Sequence, residues 1–199
     1  MTATASKRMS VAEFLVWEGI PDRRCELYDG VPVEMAPAQG FHQFLASTLN
    51  RLVGNAAEKR PPCAARSEAG ILAPSRADTY YQADIVVTCS PSDMGNTAFV
   101  EKPVLVIEIL SPSTEDKDRK IKLPDYRGIA SVREILFVDS QRRYVEIHRR
   151  QDGGRWLVDL LRDPDARVVL DSIGLDTSLE SIYANVTFDQ PDPAAAANA

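Results

Sequence analysis

The chain has almost no histidine and little cysteine. Only His42 and His148 occur in 199 residues, and the three cysteines, Cys25, Cys63 and Cys89, form no C-x-x-C pair. Neither histidine lies near a cysteine pair, which excludes a zinc cluster. An odd, scattered set of thiols is expected to stay reduced, as in a cytosolic protein. Met1–Met9 has no apolar signal core, and no apolar run approaches the length of a membrane span, so a cytoplasmic protein is expected. Positive charge is also in deficit, with 23 Lys and Arg against 29 Asp and Glu, a net charge of −6. That excludes a protein that coats nucleic acid by bulk charge. It does not exclude a nuclease, because a carboxylate-rich site needs a metal before it accepts phosphate. There is no glycine-rich phosphate loop, no nucleophile motif flanks either histidine, and no cysteine sits in a visibly activating context.

What is present is an ordinary globular composition, 44% hydrophobic and 26% charged, of a length suited to one domain. Residues 1–9 and the Pro- and Ala-rich segment 189–199 are expected to be disordered, leaving a domain over 10–188. Ser10 and Glu13 form a capping box that opens a short helix running to about Glu18. Asp29-Gly30 joins Cys25–Tyr28 to Val31–Met35 as a hairpin, and Pro32 restricts the second strand to an edge or a bulge. Phe41, Phe44, Leu45, Leu49, Leu52, Val53 and Ala56 recur at helical spacing, giving an amphipathic helix to about Glu58. Strands follow over 63–72, 83–88 and 104–110, then a charged helix from Glu115 to Arg127 stopped by Gly128. Further strands cover 134–138, 144–149 and 156–161, and a short helix covers 178–183. The pattern is α/β: a mixed β-sheet flanked by helices, with an N-terminal helix and hairpin.

Val104–Leu110 is apolar throughout except for Glu108, and so reads as a strand covered on both faces. A buried carboxylate without a partner costs several kcal/mol, so Glu108 requires a cation, a hydrogen-bond donor or a metal. Asp84 opens the other strongly apolar strand. If the two strands are neighbours, both carboxylates converge on one oxygen-rich pocket suited to Mg2+ or Mn2+. On the following helix Asp118, Lys122 and Tyr126 share one face, so a lysine could meet both acids. Pro124 breaks or kinks that helix and could re-aim Lys122, for which Lys120 is a competitor.

Asp84 followed by Glu108 on an apolar strand is similar to the PD-(D/E)xK nuclease signature, except that Ala83 stands where a proline is usual and Leu110 where the lysine is expected. The run Glu108-Ile109-Leu110-Ser111-Pro112-Ser113-Thr114, then Asp118, Lys122 and Tyr126, resembles the Uma-two family of restriction-endonuclease-like proteins, in which the lysine has moved to the following helix. Glu26–Gly30, His42-Gln43, Gly128, Glu134 and Val138-Asp139 fit the same family, and the resemblance spans residues 10–185. It implies a restriction-endonuclease-like core, DNA as substrate, and a metal-dependent endonuclease that leaves a homodimer open. Asp84 and Glu108 would hold Mg2+ or Mn2+, with a backbone carbonyl near Ile109 as a further ligand. Lys122 would orient water or stabilise charge, Glu26 would extend the acidic rim, and His42 would carry a proton or touch phosphate.

Each residue also has a structural alternative. Asp84 could accept backbone hydrogen bonds, Glu108 could be an ion-pair partner, Lys122 and Glu26 could be solvated, and His42 could cap its helix. Tyr126 is expected to pack with its hydroxyl in the network. Arg142, Arg143, Arg149, Arg150 and Arg155 are either solvated strand faces or a phosphate-contact patch. Two functional alternatives stand beside the DNA nuclease: a catalytically weak nucleic-acid-binding or protein-interaction module on the same fold, and a nuclease acting on RNA.

Overall fold

The computed structural model describes residues 8–37, 40–74 and 76–188. The segments expected to be disordered lie outside these, apart from Arg8 and Met9. The amide of Met9 donates to the carbonyl of Gly30, and its side chain packs with Val11, Leu27 and Tyr80.

The capping box forms as expected, with Ser10 and Glu13 bonded reciprocally, and opens helix α1 (Val11–Leu15). Strands β1 (Cys25–Tyr28) and β2 (Val31–Glu34) form the hairpin, with Asp29 and Gly30 both at positive φ as its tight turn demands. Pro32 lies on the outermost strand, where its missing N–H costs no ladder bond. Helix α2 (Phe41–Ala57) buries Leu45, Leu49 and Val53, while Phe44, expected on the same face, is exposed.

Strands β3 (Ala64–Leu72), β4 (Tyr80–Thr88), β5 (Pro103–Leu110), β6 (Glu134–Asp139), β7 (Val145–Arg150) and β8 (Trp156–Leu161) complete an eight-stranded mixed sheet. The β5–β6 pair is parallel and the other pairs are antiparallel. Strand β3 pairs with β4 from Tyr80 to Thr88, so β1, joined at Tyr80, and β5, joined from Ile85 onward, must share the opposite edge. Between them lies a gap at residues 81–84 where β4 has no strand partner on that side.

Both faces of the sheet are covered, which explains the continuous apolar run of β5. Leu105, Ile107 and Ile109 pack with α2, α5 (Leu179–Ile182) and the hairpin β9 (Arg167–Leu170) and β10 (Leu175–Ser178). Val106 and Leu110 face the other layer with Tyr126, Val132 and Phe137. Each such side chain contributes roughly 1.5–3 kcal/mol by burial. The β9–β10 hairpin had no legible signal, because its strands have four residues each.

Two expectations change. Cys63 and Cys89 form a disulfide rather than reduced thiols, and Cys25 alone is free. The β3–β4 ladder ends at Ala64 opposite Thr88, so residues 63 and 89 are the next facing positions. A separation of 26 residues hides that proximity in the sequence. The cysteine pattern therefore no longer argues for a reducing compartment. Among the described residues, no helix is long and apolar enough to cross a membrane.

The charged helix also differs. It comprises α3 (Glu115–Lys117), a π turn (Asp118–Lys122) and α4 (Leu123–Gly128). Pro124 falls in the first turn of α4, and the amide of Leu123 bonds back to the carbonyl of Asp118, one residue further than an α-helix would reach. The proline is accommodated by widening the preceding turn rather than by breaking the helix.

Candidate active site

The gap beside β4 is the centre of a cleft of about 420 Å³. Asp84 and Glu108 lie one position beyond the Ile85–Ile107 pair, where the β4–β5 ladder ends, and their side chains come together in the gap between the strands. Three backbone amides hold the carboxylates there. Gln82 N–H donates to Glu26 Oε1 at 2.8 Å, Asp84 N–H to Glu108 Oε2 at 3.3 Å, and Ile109 N–H to Asp84 Oδ2 at 2.7 Å. The missing ladder of β4 is thus replaced by acid side chains, which answers the demand that buried amides find acceptors. Asp84 lies within β4 rather than at its start.

Opposite Asp84, Glu68 has φ +48°, a left-handed conformation uncommon for a non-glycine residue. Its position in the β3 ladder is skipped, between the Ser67–Ile85 and Ala69–Ala83 pairs. Strain of this kind gathers at functional sites.

The π turn brings Lys122 under the sheet. Its Nζ lies 2.9 Å from Glu26 Oε1, 3.2 Å from Glu108 Oε1 and 3.1 Å from Asp118 Oδ1. Tyr126 donates to Glu108 Oε1 at 2.6 Å. The expected stripe of Asp118, Lys122 and Tyr126 therefore forms on one face, while Lys120 is exposed and paired with Asp116. His42, in the first turn of α2, sets Nε2 3.3 Å from Asp84 Oδ1, and its Nδ1 is buried without a hydrogen-bond partner among the described residues.

Asp84, Glu108, Lys122, Glu26 and His42 thus all meet at one cleft. Asp118 is a member that sequence reasoning placed on the helix stripe but gave no role. Its signal was the i,i+4 spacing to Lys122. Ser111, Ser113, Thr114, Lys117, Arg24 and Glu68 line the remaining walls.

The electrostatics are unbalanced. Four carboxylates, Glu26, Asp84, Glu108 and Asp118, surround one buried ammonium and one imidazole. Burial, with the charges of Asp118 and Asp84, pushes the Glu108 carboxyl well above the usual range despite Lys122 and Tyr126. Burial and the Asp84 charge push Asp118 up too, again against Lys122. Burial alone would lower the basicity of Lys122, but Glu108, Tyr126, Glu26 and Asp118 together raise it, so it remains charged. Burial likewise opposes protonation of His42, yet its hydrogen bond to Asp84 and the charges of Asp84, Asp118 and Glu68 carry its pKa above 6.5.

This excess of negative oxygen donors fits a hard divalent cation. Among the described residues no three His, Cys, Asp or Glu side chains already form a ligand set.

The arginines of β6–β8 are largely structural. Arg142 pairs with Asp139, Arg149 lies against Glu134 and Asp159, and Arg150 donates to the carbonyls of Arg127, Ile129 and Val132.

The model of the Uma2 family, described as a putative restriction endonuclease, matches residues 11–180. Two proteins of Synechocystis sp. are similar along most of their length. The uncharacterized protein slr1290 is 30% identical over 181 residues, covering 91% of this chain and 94% of its own. The uncharacterized protein sll1609 is 25% identical over 170 residues, covering 84% and 96%. Among solved structures, a putative nuclease belonging to DUF820 from Anabaena variabilis superposes with a TM-score of 0.70. The identity is 19%, and the match covers 88% of this chain and 98% of the other. At that identity the likeness speaks for the fold, a mixed sheet flanked by helices shared with that protein.

Proposed function

The chain belongs to the Uma2 family, and from that premise we propose that it is a metal-dependent endonuclease hydrolysing DNA phosphodiester bonds. The observation that carries this reading is the charge imbalance around Lys122, where acids brought together from β1, β4, β5 and the π turn outnumber the cations facing them. A fold kept only for stability gains nothing from that excess.

In this reading Asp84 and Glu108 hold Mg2+ or Mn2+. Once bound, such an ion acidifies a coordinated water and withdraws charge from the scissile phosphate. Lys122 presents a permanently charged ammonium to the same space, where it positions the water or stabilises charge on the phosphate in the transition state. Glu26 and Asp118 hold that ammonium in place. His42 orients Asp84 through Nε2 and offers a proton carrier at the cleft. Tyr126 fixes the rotamer of Glu108.

The test is a cleavage assay with Mg2+ or Mn2+ on single- and double-stranded DNA and RNA, comparing wild type with Asp84→Asn, Glu108→Gln and Lys122→Met. Metal-dependent cutting of DNA, lost in each variant, is expected. Activity that survives all three substitutions removes the proposed site. Preferred cutting of RNA reassigns the substrate. Nucleic-acid binding without cleavage, unchanged by metal, favours a binding module on the same fold.

A further inference from the structure

At the far end of the sheet from the hairpin, β8 pairs with β7 through all six of its residues, Val145 opposite Leu161 to Arg150 opposite Trp156. Its other edge has no strand partner among the described residues. Such an edge offers a row of free N–H and C=O groups, and natural sheets protect it with proline, lysine, brevity or a bulge. Strand β2, at the other end, is protected in this way: it has four residues, one of them Pro32, and it ends in the exposed Glu34. Strand β8 has none of these devices. Leu157, Val158 and Leu160 are 49%, 39% and 54% exposed. Its one charged residue, Asp159, is drawn back onto Arg149 of β7.

We propose that β8 pairs antiparallel with β8 of a second copy of this chain, joining two sheets into one. The occupant is argued from self-complementarity. A twofold axis that relates antiparallel edge strands stands perpendicular to the sheet, so side chains of the same face meet. Trp156, Val158 and Leu160 share one face, and Leu157, Asp159 and Leu161 the other. An axis through Val158 sets Val158 against its copy and Trp156 against the copy's Leu160, an unbroken apolar row. It also leaves the exposed Arg155 diagonal to the copy's Asp159, within reach of a long side chain and of opposite charge. An axis through Asp159 would set two like charges face to face. The register through Val158 is the one the apolar row favours; an axis through Leu157 would set Leu160 against Gly154, and the Asp159 it brings opposite Arg155 is already held by Arg149.

The experiment uses the full chain in sedimentation equilibrium at tens of micromolar. A dimer is expected, converted to monomer by Val158→Lys and by Leu160→Lys with unchanged circular dichroism. In a Cys25→Ser background, Val158→Cys is expected to form an intersubunit disulfide across the axis, and that readout does not depend on the lysine variants folding. A monomeric wild type overturns the proposal and leaves the edge to a strand of another protein. A dimer that persists in the lysine variants and does not crosslink at position 158 places the interface elsewhere and overturns it equally.

Discussion

Two groups of buried charge lie along the same sheet, and they are built to opposite specifications. At the β1–β4–β5 gap, Glu26, Glu108 and Asp118 share one ammonium, Lys122, with Asp84 alongside. On β6–β8, acids and bases are matched. Glu146 receives Arg119 at 2.7 Å and lies 3.5 Å from His148, and Glu134 lies 3.4 Å from Arg149 and accepts from the amides of Asp171 and Ser172. Burial pushes the carboxyls of Glu108, Asp118 and Glu146 upward. In the first group the neighbouring acids add to that push, and Glu108 and Asp118 end above the usual range. In the second, the nearby His148, the hydrogen bond and charge of Arg119, and the neighbouring Tyr144 overcome the burial of Glu146 and hold it far below that range. A balanced cluster is complete as it stands, whereas an unbalanced one retains affinity for a cation.

Removing the one ammonium is the severest way to break this contrast. Lys122→Met should cost about 3–5 kcal/mol, because it strands several buried acids without a counter-charge, and thermal denaturation of the variant measures it. Added Mg2+ should return part of the loss in the variant and do less for wild type. Equal metal effects on the two proteins would contradict the idea that the ammonium and the cation answer the same charge.

Glu108→Gln comes next. Cleavage should fall by about a hundred- to a thousandfold, yet the folded state should be as stable as wild type or more so, since Lys122 keeps two acidic partners. Single-turnover rates and melting temperature together decide it; a large loss of stability would make Glu108 a structural ion-pair residue like Glu134.

Glu146→Gln should behave in the opposite sense, costing roughly 1–2 kcal/mol at neutral pH through its charge-assisted hydrogen bonds. The folded-state pKa of Glu146 is depressed, so its contribution is present above the unfolded value of about 4.3 and disappears as pH falls through the folded value. Denaturant titrations of wild type and variant should therefore converge at acid pH, and a constant gap down to low pH would refute the assignment. The smallest effect belongs to Lys120→Ala, which removes only an exposed pair with Asp116 and should change stability by less than about 0.5 kcal/mol. A cleavage defect in that variant would return Lys120 to the role given to Lys122.

Much of this was legible in the sequence because the signals were local. Asp29-Gly30 dictates a tight hairpin, the period of α2 dictates one buried face, and a lone Glu108 in an apolar strand demands a partner whatever surrounds it. Residues 118, 122 and 126 share a face by helical spacing alone, but the choice of Lys122 over Lys120 came only from the structure, because Pro124 left the aim of that face open. What stayed hidden depended on distance in the chain or on strain. The left-handed Glu68 opposite Asp84 has no composition to announce it. The expected reduced thiols at Cys63 and Cys89 became a disulfide because the β3–β4 register makes them neighbours.

The sequence by itself determined most of the order of strands and helices and singled out Glu108, Asp84 and the stripe 118, 122 and 126, since side-chain period and the cost of a buried charge are properties of short segments. Only the tertiary structure decided that β1 and β5 share one edge of β4 and part at residues 81–84. That gap leaves backbone amides unpaired, and carboxylates from separate strands converge there because they are the acceptors within reach.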